Sequence, residues 1–136
     1  MPEHKILDSW ALLAWLLDQP AAGRVEALLE RAEAQTLQLS MSWLNAGEVY
    51  YMAARKLGKL QAEELLNRLP SLPIHLTLPD VQDVLAAAKL KAQYRISYAD
   101  AFAAALAQRE NADLVTGDPE LKALDGIVRV DWIGAA

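Results

Sequence analysis

Four acidic residues stand at positions from which their side chains can converge in a folded chain. Asp8 follows a short apolar stretch, and Glu48 and Asp100 each lie among apolar residues in a helical pattern. Asp118 lies between a glycine and a proline in a turn near the end of the chain. Carboxylate oxygens are the ligands that Mg²⁺ and Mn²⁺ prefer in proteins. These residue types therefore predict a divalent metal site built from carboxylates.

Each of these acids, taken alone, also has an ordinary structural explanation. Asp118 is typical of a turn or a helix cap, and Asp100 stands three residues after Ser97, which is the spacing of a capping box. Glu48 alone is typical of a solvated helix residue. Asp8, at the end of an apolar strand, is the hardest to explain in this way. The combination of all four in compatible positions favours a site.

The hydrophobic pattern predicts that strands and helices alternate along the chain. We expect helices over residues 10–17, 23–34, 43–57, 61–69, 80–94 and 98–109, and strands over 4–7, 37–41, 74–78, 113–116 and 127–130. Such alternation favours a parallel sheet with helices on both faces. The predicted fold class is α/β, with three layers in the order α/β/α, a mainly parallel central sheet and one domain over residues 1–136.

The ends of several predicted helices are assigned from capping residues. Ser9, Ser42 and Ser97 are candidate N-caps, because their hydroxyls can accept a backbone N–H of the first turn. Gly58 is the expected C-cap of the helix that carries the second acid. Pro79 is expected at a first helical position.

The predicted sheet brings acids together from opposite ends of the sequence. Ligands in open parallel sheets bind beyond the carboxyl ends of the strands. Asp8 ends the first predicted strand and Asp118 follows the fourth, so both are expected at this edge. Asp100 shares its side of a helix with alanines that should pack inward. A buried carboxylate needs compensation, which a divalent cation supplies.

The composition limits the classes of protein that the chain can be. The chain has 18 acids and 13 Lys and Arg residues, and two bound divalent cations would bring its net charge from −5 to −1, so an anionic phosphate substrate remains compatible. The absence of cysteine excludes disulfides and thiolate metal sites, and no GxGxxG or GxxxxGK[ST] motif occurs. His4 and His75 are isolated from each other and lack a metal-ligand spacing. No apolar run reaches the roughly 20 residues of a membrane span and no signal peptide is recognised, so a soluble, cytoplasmic protein without membrane contact is expected.

Four sequence blocks contain the candidate acids and occur in order along nearly the whole chain. They are LDS at 7–9 with ALLA at 11–14, NAGEV at 45–49, ISYADAFAAA at 96–105 and TGDP at 116–119. At these intervals they resemble the PIN domain and, within it, the VapC-type toxins of prokaryotic toxin–antitoxin (VapBC) pairs. Trp10 departs from the pattern, since the family usually has a small polar residue there.

The resemblance implies a function as well as a fold. It implies Mg²⁺- or Mn²⁺-dependent endoribonuclease activity that leaves a 5′-phosphate and a 3′-hydroxyl, inhibition by a cognate antitoxin, and commonly a homodimer. The family's acidic metal ligands would be Asp8, Glu48, Asp100 and Asp118, with Ser9 and Thr116 as hydroxyls beside them. We prefer Asp8, Asp100 and Asp118 as direct ligands. Glu48 would bind a metal through water or orient the nucleophile.

Two groups of basic residues lie at predicted helix ends. Either group alone is typical of a solvated helix end, where the helix dipole favours cations. The alternative hypothesis is that at least one group flanks the acidic pocket and holds RNA phosphates. The groups are Arg55, Lys56 and Lys59, and Lys89, Lys91 and Arg95.

The sequence leaves two alternatives to a toxin. One is a PIN nuclease that serves RNA maturation, which the neighbouring open reading frame would distinguish, since an antitoxin-like gene directly upstream favours the toxin. The other is a catalytically silent PIN-like module that binds a partner. Retention of all four acids speaks against silence, and a test of magnesium binding would decide it.

Overall fold

The computed structural model describes residues 3–134, and within them five strands form one sheet. All of the pairings between these strands are parallel, and the strand order is β3-β2-β1-β4-β5. The first strand thus lies at the centre of the sheet, with the fourth strand directly beside it. The strands are β1 (Glu3–Leu7), β2 (Leu37–Ser42), β3 (His75–Thr77), β4 (Asp113–Thr116) and β5 (Val130–Trp132).

Helices cover both faces of the sheet, which confirms the predicted three-layer α/β/α fold. Leu7 and Val115 face a core shared with the first four helices, whereas Ile6 and Leu114 face a core shared with the last two. The helices are α1 (Ser9–Leu16), α2 (Ala22–Glu33), α3 (Trp43–Leu57), α4 (Lys59–Arg68), α5 (Val81–Gln93) and α6 (Tyr98–Arg109). Between residues 3 and 134, none of them is long and apolar enough to cross a membrane.

The helix α6 packs closely on the sheet because its buried residues are mostly alanine. It contacts β1, β2 and β4, and the alanines from Ala103 to Ala105 are almost completely buried. Small side chains let a helix backbone approach its neighbours. The first turn of α6 is thereby held against the centre of the sheet, close to the end of β1.

Two predicted helix starts are wrong by one residue. The N-cap of α1 is Asp8 rather than Ser9, since Oδ1 of Asp8 accepts a hydrogen bond from the Ala11 N–H at 2.8 Å. The N-cap of α5 is Asp80, so Pro79 precedes the helix instead of occupying its first position. In both cases an Asp carboxylate caps the helix, in place of the Ser9 hydroxyl at α1 and one residue after Pro79 at α5.

Three other predicted caps are confirmed. The Ser42 hydroxyl accepts the Leu44 N–H at 3.1 Å, and the Ser97 hydroxyl accepts the Asp100 N–H at 3.1 Å. Gly58 follows α3 with a φ of 94°, a backbone conformation that residues with a Cβ rarely adopt.

The last strand lies further along the chain than the prediction for residues 127–130. Two turns of 3₁₀ helix, Pro119–Leu124, follow β4 and bury Leu121 and Leu124. Val128 is buried in the same core, against α5 and α6. Of the β-branched residues that suggested a strand, Val128 thus packs in the core, and pairing with β4 begins only at Val130.

Candidate metal centre

Asp8 and Asp118 lie at the same edge of the sheet because β1 and β4 are neighbours. Leu7 is paired with Val115 in the strand register, and the Asp8 N–H donates to the Val115 carbonyl oxygen at 3.3 Å. The Thr116 hydroxyl donates to Oδ2 of Asp8 and accepts the Asp118 N–H at 3.0 Å. One hydroxyl thus connects the two acids and fixes their relative position.

The Asp8 side chain is completely buried. Burial disfavours the charged form, and this raises the pKa of Asp8 to about 7 although hydrogen bonds from Thr116 and Ala11 act in the opposite direction. The negative charges of Asp118 and Glu48 raise the pKa further. Asp8 is therefore an acid that lacks the solvation or cation that would keep it ionised.

The Asp100 side chain is buried at the first turn of α6, with a relative exposure of 4%. The capping hydroxyl of Ser97 accepts the Asp100 backbone N–H at 3.1 Å, and Oδ2 of the Asp100 carboxylate has no hydrogen-bond partner among the described residues. Burial, followed by the charges of Asp118 and Asp8, raises the pKa of Asp100 to about 8. A buried carboxylate oxygen without a hydrogen-bond partner is suited to coordinate a cation.

A third acid beside Asp100 and Asp118 was missing from the sequence prediction. One carboxylate oxygen of each of Asp100, Asp118 and Glu120 lies within 4.8 Å of the others. Glu120 is brought there by a local turn, because its N–H donates to Oδ1 of Asp118 at 3.0 Å. The spacing of a capping Asp followed two residues later by a Glu was the available signal.

Glu48 lies on α3 at the border of this cluster and is half-buried. Its Oε2 accepts a hydrogen bond from the Tyr51 hydroxyl at 3.2 Å, and the guanidinium of Arg55 lies 5.0 Å from the centre of the Tyr51 ring. The charge of Glu48 raises the pKa of Tyr51 and contributes to that of Asp8. Glu48 thus acts on the site electrostatically while standing outside the three closest carboxylates.

No basic residue neutralises these acids within the described part of the chain. The salt bridges between residues 3 and 134 involve neither Asp8, Glu48, Asp100, Asp118 nor Glu120. The donor set therefore consists of carboxylate oxygens without a protein cation, which matches the hard-ligand preference of Mg²⁺ and Mn²⁺.

Ser9, which follows Asp8 in the chain, is hydrogen-bonded to Asn45 and thereby connects the start of α1 to α3. The Ser9 hydroxyl donates to the backbone carbonyl oxygen of Asn45 at 3.3 Å and accepts from Nδ2 of the Asn45 side chain at 3.0 Å. The Ser9 hydroxyl is therefore hydrogen-bonded to Asn45 and to no carboxylate of residues 3–134. Asn45 was not assigned a role from the sequence.

Trp10, the departure from the family pattern, packs against the turn that carries Asp118. A Cβ placed on Gly117 would overlap the Trp10 ring, and one placed on Gly134 would lie 2.9 Å from Cα of Gly117. The indole occupies the space that a side chain at Gly117 would need. Trp10 therefore supports the turn through packing instead of adding a polar group to the pocket.

The basic residues of both predicted groups are exposed, and the two groups differ in what they contact. Lys56 lines a groove beside Trp10, and Nζ of Lys91 donates to the Ile96 carbonyl oxygen at 3.0 Å, which is a structural contact at the end of α5. The exposed residues are Arg55, Lys56, Lys59, Lys89, Lys91 and Arg95.

Sequence and fold each resemble known proteins. A family model for the PIN domain matches residues 5–127. VapBC2 from Rickettsia felis, solved bound to a promoter DNA fragment, has a TM-score of 0.69 and 18% identity, covering 94% of this chain and 97% of that chain. VapBC-1 from nontypeable Haemophilus influenzae has a TM-score of 0.68 and 22% identity, covering 95% and 97%. VapC20 from Mycobacterium tuberculosis, a toxin that cleaves the sarcin–ricin loop, has a TM-score of 0.70 and 15% identity, covering 88% and 93%.

No curated protein sequence matches the chain at a significant level. The likeness to the solved structures therefore establishes the fold, and the match of the family model establishes the family.

Proposed function

The chain belongs to the PIN domain family, and from this premise we propose that it is a metal-dependent endoribonuclease formed by a single domain over residues 1–136. The observation that carries the proposal is that Asp118 is linked to Asp8 through the Thr116 hydroxyl and has a carboxylate oxygen within 4.8 Å of one of Asp100. Asp8 and Asp100 are buried, and none of the three acids is paired with a lysine or arginine of residues 3–134. Unpaired buried charges cost several kcal/mol, so this edge requires either protons or a cation.

The carboxylates of this edge fit Mg²⁺ or Mn²⁺. Asp100 and Asp118 would hold the ion directly, together with Asp8, whose oxygens each retain a lone pair beyond their hydrogen bonds to the protein. Glu120 adds a carboxylate within reach, and Glu48 would act through water. When bound, such an ion supplies positive charge for phosphate oxygens and Lewis acidity toward the attacking water.

The side chains of this edge are held in place for hydrolysis. The Ala11 N–H and the Thr116 hydroxyl fix both oxygens of Asp8, and the Tyr51 hydroxyl holds Oε2 of Glu48. Glu48, which is the more exposed of these two acids, orients the water. The water oxygen bonds to phosphorus and gives up one of its protons, the bond from phosphorus to the 3′ oxygen breaks, and that oxygen takes up a proton, so that one water molecule is consumed in all. The products are a 5′-phosphate and a 3′-hydroxyl.

The proposed role is that of the toxin in a type II toxin–antitoxin pair, with an antitoxin protein as partner. Solved structures that share the fold include VapBC complexes. A groove of about 710 Å³, lined by residues of α1, α2 and α3 and by none of the acids, is suited to an apolar segment of a partner. Its lining includes Trp10, which packs against the turn of Asp118. A basic side chain from that segment would replace the metal's charge among the carboxylates. The groove is lined in part by Trp10, Leu13, Leu17, Arg24, Met52 and Lys56.

A homodimer is part of the same proposal. Trp43 and Leu44, at the start of α3, and Tyr98, at the start of α6, are exposed by 41–42%, and these two helices pack on each other. Val81 and Leu85 of α5 are also exposed, by 73% and 54%. Exposed apolar residues on adjacent helices support burial against a second copy. The RNA substrate and the antitoxin would place the protein in the cytoplasm.

The experiment is cleavage of RNA by the purified chain with Mg²⁺ or Mn²⁺. Total cellular RNA should be cut at discrete sites that carry 5′-phosphates, EDTA should abolish cutting, and expression without an antitoxin should arrest growth. Intact RNA at millimolar concentrations of both metals would contradict the proposed nuclease. Cleavage without growth arrest would favour a role in RNA maturation instead.

A further inference from the structure

Asn45 is a completely buried amide on the inner side of α3. It shares this side of the helix with Val49 and Ala53, both of which are buried apolar residues. A polar side chain at such a position costs free energy unless its donors and acceptors are all paired. The contacts of Asn45 therefore call for an explanation.

The Asn45 side chain connects three helices. Its Nδ2 donates to the Ser9 hydroxyl of α1 at 3.0 Å and to the Ala99 carbonyl oxygen of α6 at 3.1 Å. Ser9 follows Asp8 in the chain, and Ala99 precedes Asp100. One amide nitrogen thus joins the immediate neighbours of the two most deeply buried acids.

The orientation of this amide is fixed by its partners. The Ala99 carbonyl oxygen can only accept a hydrogen bond, so the nitrogen must face it, and the opposite orientation would bring two acceptors together. The side-chain oxygen of Asn45, Oδ1, is then left buried without a partner among the described residues. Such an oxygen destabilises the fold, which makes the amide a poor choice for packing alone.

The other buried side-chain atom without a partner in the described part of the chain is Oδ2 of Asp100. Asn45 is bonded to the residue next to Asp100, so both unpaired atoms belong to the same connected group. From this arrangement we infer that Asn45 is a positioning residue, which fixes the separation of Asp8 and Asp100 and thereby sets the affinity of the acidic edge for a divalent cation. The inference rests on the proposed metal site and assigns no contact with RNA to Asn45.

The inference is tested by replacing Asn45 with leucine, which has the same branched shape and number of side-chain heavy atoms but no polar atoms. Asn45→Leu removes the unpaired oxygen together with both hydrogen bonds, so its metal-free stability is not the deciding measurement. The deciding measurement is the Mg²⁺ concentration that gives half of the maximal rise in melting temperature. We expect Asn45→Leu to raise this concentration about fivefold, the equivalent of about 1 kcal/mol for lost positioning. The affinity for RNA in EDTA should not change, because the side chain is completely buried.

Two further variants separate positioning from stability. Val25→Ala removes buried volume from α2 and should lower the melting temperature without changing the Mg²⁺ midpoint. Ser9→Ala removes one of the two acceptors of Asn45 Nδ2, together with the bond from the Ser9 hydroxyl to the Asn45 backbone carbonyl oxygen, and should raise the midpoint about twofold. It decides the question if Asn45→Leu does not fold. An unchanged midpoint in both Asn45→Leu and Ser9→Ala overturns the inference. A parental protein that shows no rise with Mg²⁺ or Mn²⁺ overturns the proposed metal site itself.

Discussion

Two clusters of acids on the same sheet differ in whether the sequence supplies them with a cation. In the first, Nζ of Lys5 on β1 lies 2.8 Å from Asp131 and 3.4 Å from Asp113, and Arg129 bonds Asp113 at 2.9 Å. Burial opposes the ionisation of Asp113, but hydrogen bonds and charges from Arg129 and Lys5 outweigh it and lower its pKa. These acids are paired with basic side chains of the protein itself.

The second cluster, at the carboxyl edge, has acids of the same kind and no such partner. Asp8 and Asp100 are more deeply buried than Asp113, and their pKa values are raised to about 7 and about 8. The contrast shows that acids of this sheet can be stabilised by basic side chains of neighbouring residues, as Lys5 and Arg129 do for the first cluster. Where the basic residue is missing, the compensation has to come from solution, as protons or as a metal ion.

The largest expected difference between the clusters is in the effect of neutralising one acid. Asp100→Asn should lower RNA cleavage at least about 100-fold and abolish stabilisation by Mg²⁺, because it removes a metal donor. Asp113→Asn should leave cleavage within about twofold of the parental rate and lower the free energy of unfolding by about 1 kcal/mol, through loss of partly exposed ion pairs. Rates at saturating Mg²⁺ and melting curves with and without the metal give both quantities. Equal losses of cleavage in the two variants would remove the functional distinction between the clusters.

Asp8→Asn separates the two tasks that this residue performs. Asparagine is a good N-cap, so α1 should keep its bond from the Ala11 N–H. The amide nitrogen cannot accept the Thr116 hydroxyl, and the charge facing Asp118 is lost. Cleavage should fall by about 100-fold or more while circular dichroism shows a folded protein. A variant that cuts RNA at the parental rate would restrict Asp8 to capping.

The pH dependence of stability should have opposite signs at the two clusters. Asp8 and Asp100 have ordinary values of 3.8 and raised values in the folded protein, so between about pH 4 and pH 8 the folded state holds more protons than the unfolded state. Without metal, the melting temperature should therefore fall as pH rises through this range. The lowered pKa of Asp113 contributes stability above about pH 4, which is lost as pH falls below it.

Saturating Mg²⁺ should reduce the loss of stability toward pH 8, because the ion binds the ionised carboxylates. The double variant Asp8→Asn, Asp100→Asn is the matched control, and its melting temperature should change much less over the same range. A metal-free melting temperature that stays level between pH 5 and pH 8 in the parental protein would contradict the raised pKa values.

The sequence predicts the layers of the fold and the shared edge of Asp8 and Asp118, because alternating elements constrain a parallel sheet strongly. It does not predict which residue caps α1, since Asp8 and Ser9 are adjacent and both suited to the role. Glu120 was missed because its one local signal, a Glu two residues after a capping Asp, is also typical of an ordinary turn. Its approach to Asp100 depends on a tertiary contact between the turn after β4 and the start of α6.

Asn45 illustrates a signal that was present and unused. Its spacing from Val49 and Ala53 places an amide on the buried side of α3, which is an exception to the apolar pattern. The partners of that amide, Ser9 and Ala99, lie 36 and 54 residues away in the sequence. Contacts at such separation are set by how three helices pack, which local patterns do not specify.

The smallest expected effects concern the exposed basic groups, which extend the comparison from metal to substrate. Arg55 lies over the ring of Tyr51, whose hydroxyl bonds Glu48, so this group begins beside the acidic edge. Lys91 instead holds the Ile96 carbonyl oxygen. We therefore expect charge reversal of the group of Arg55, Lys56 and Lys59 to weaken RNA binding more than charge reversal of Lys89, Lys91 and Arg95.

The measurement is the dissociation constant for a single-stranded RNA in EDTA at several salt concentrations, so that binding is separated from cleavage. Each phosphate contact that is lost should reduce the slope of log K against log[salt] by about 0.7. The first triple variant should lose one or more such contacts, and the second should retain the parental slope within error. If both variants keep the parental affinity and slope, these residues are solvated helix ends, and RNA is held by other parts of the surface.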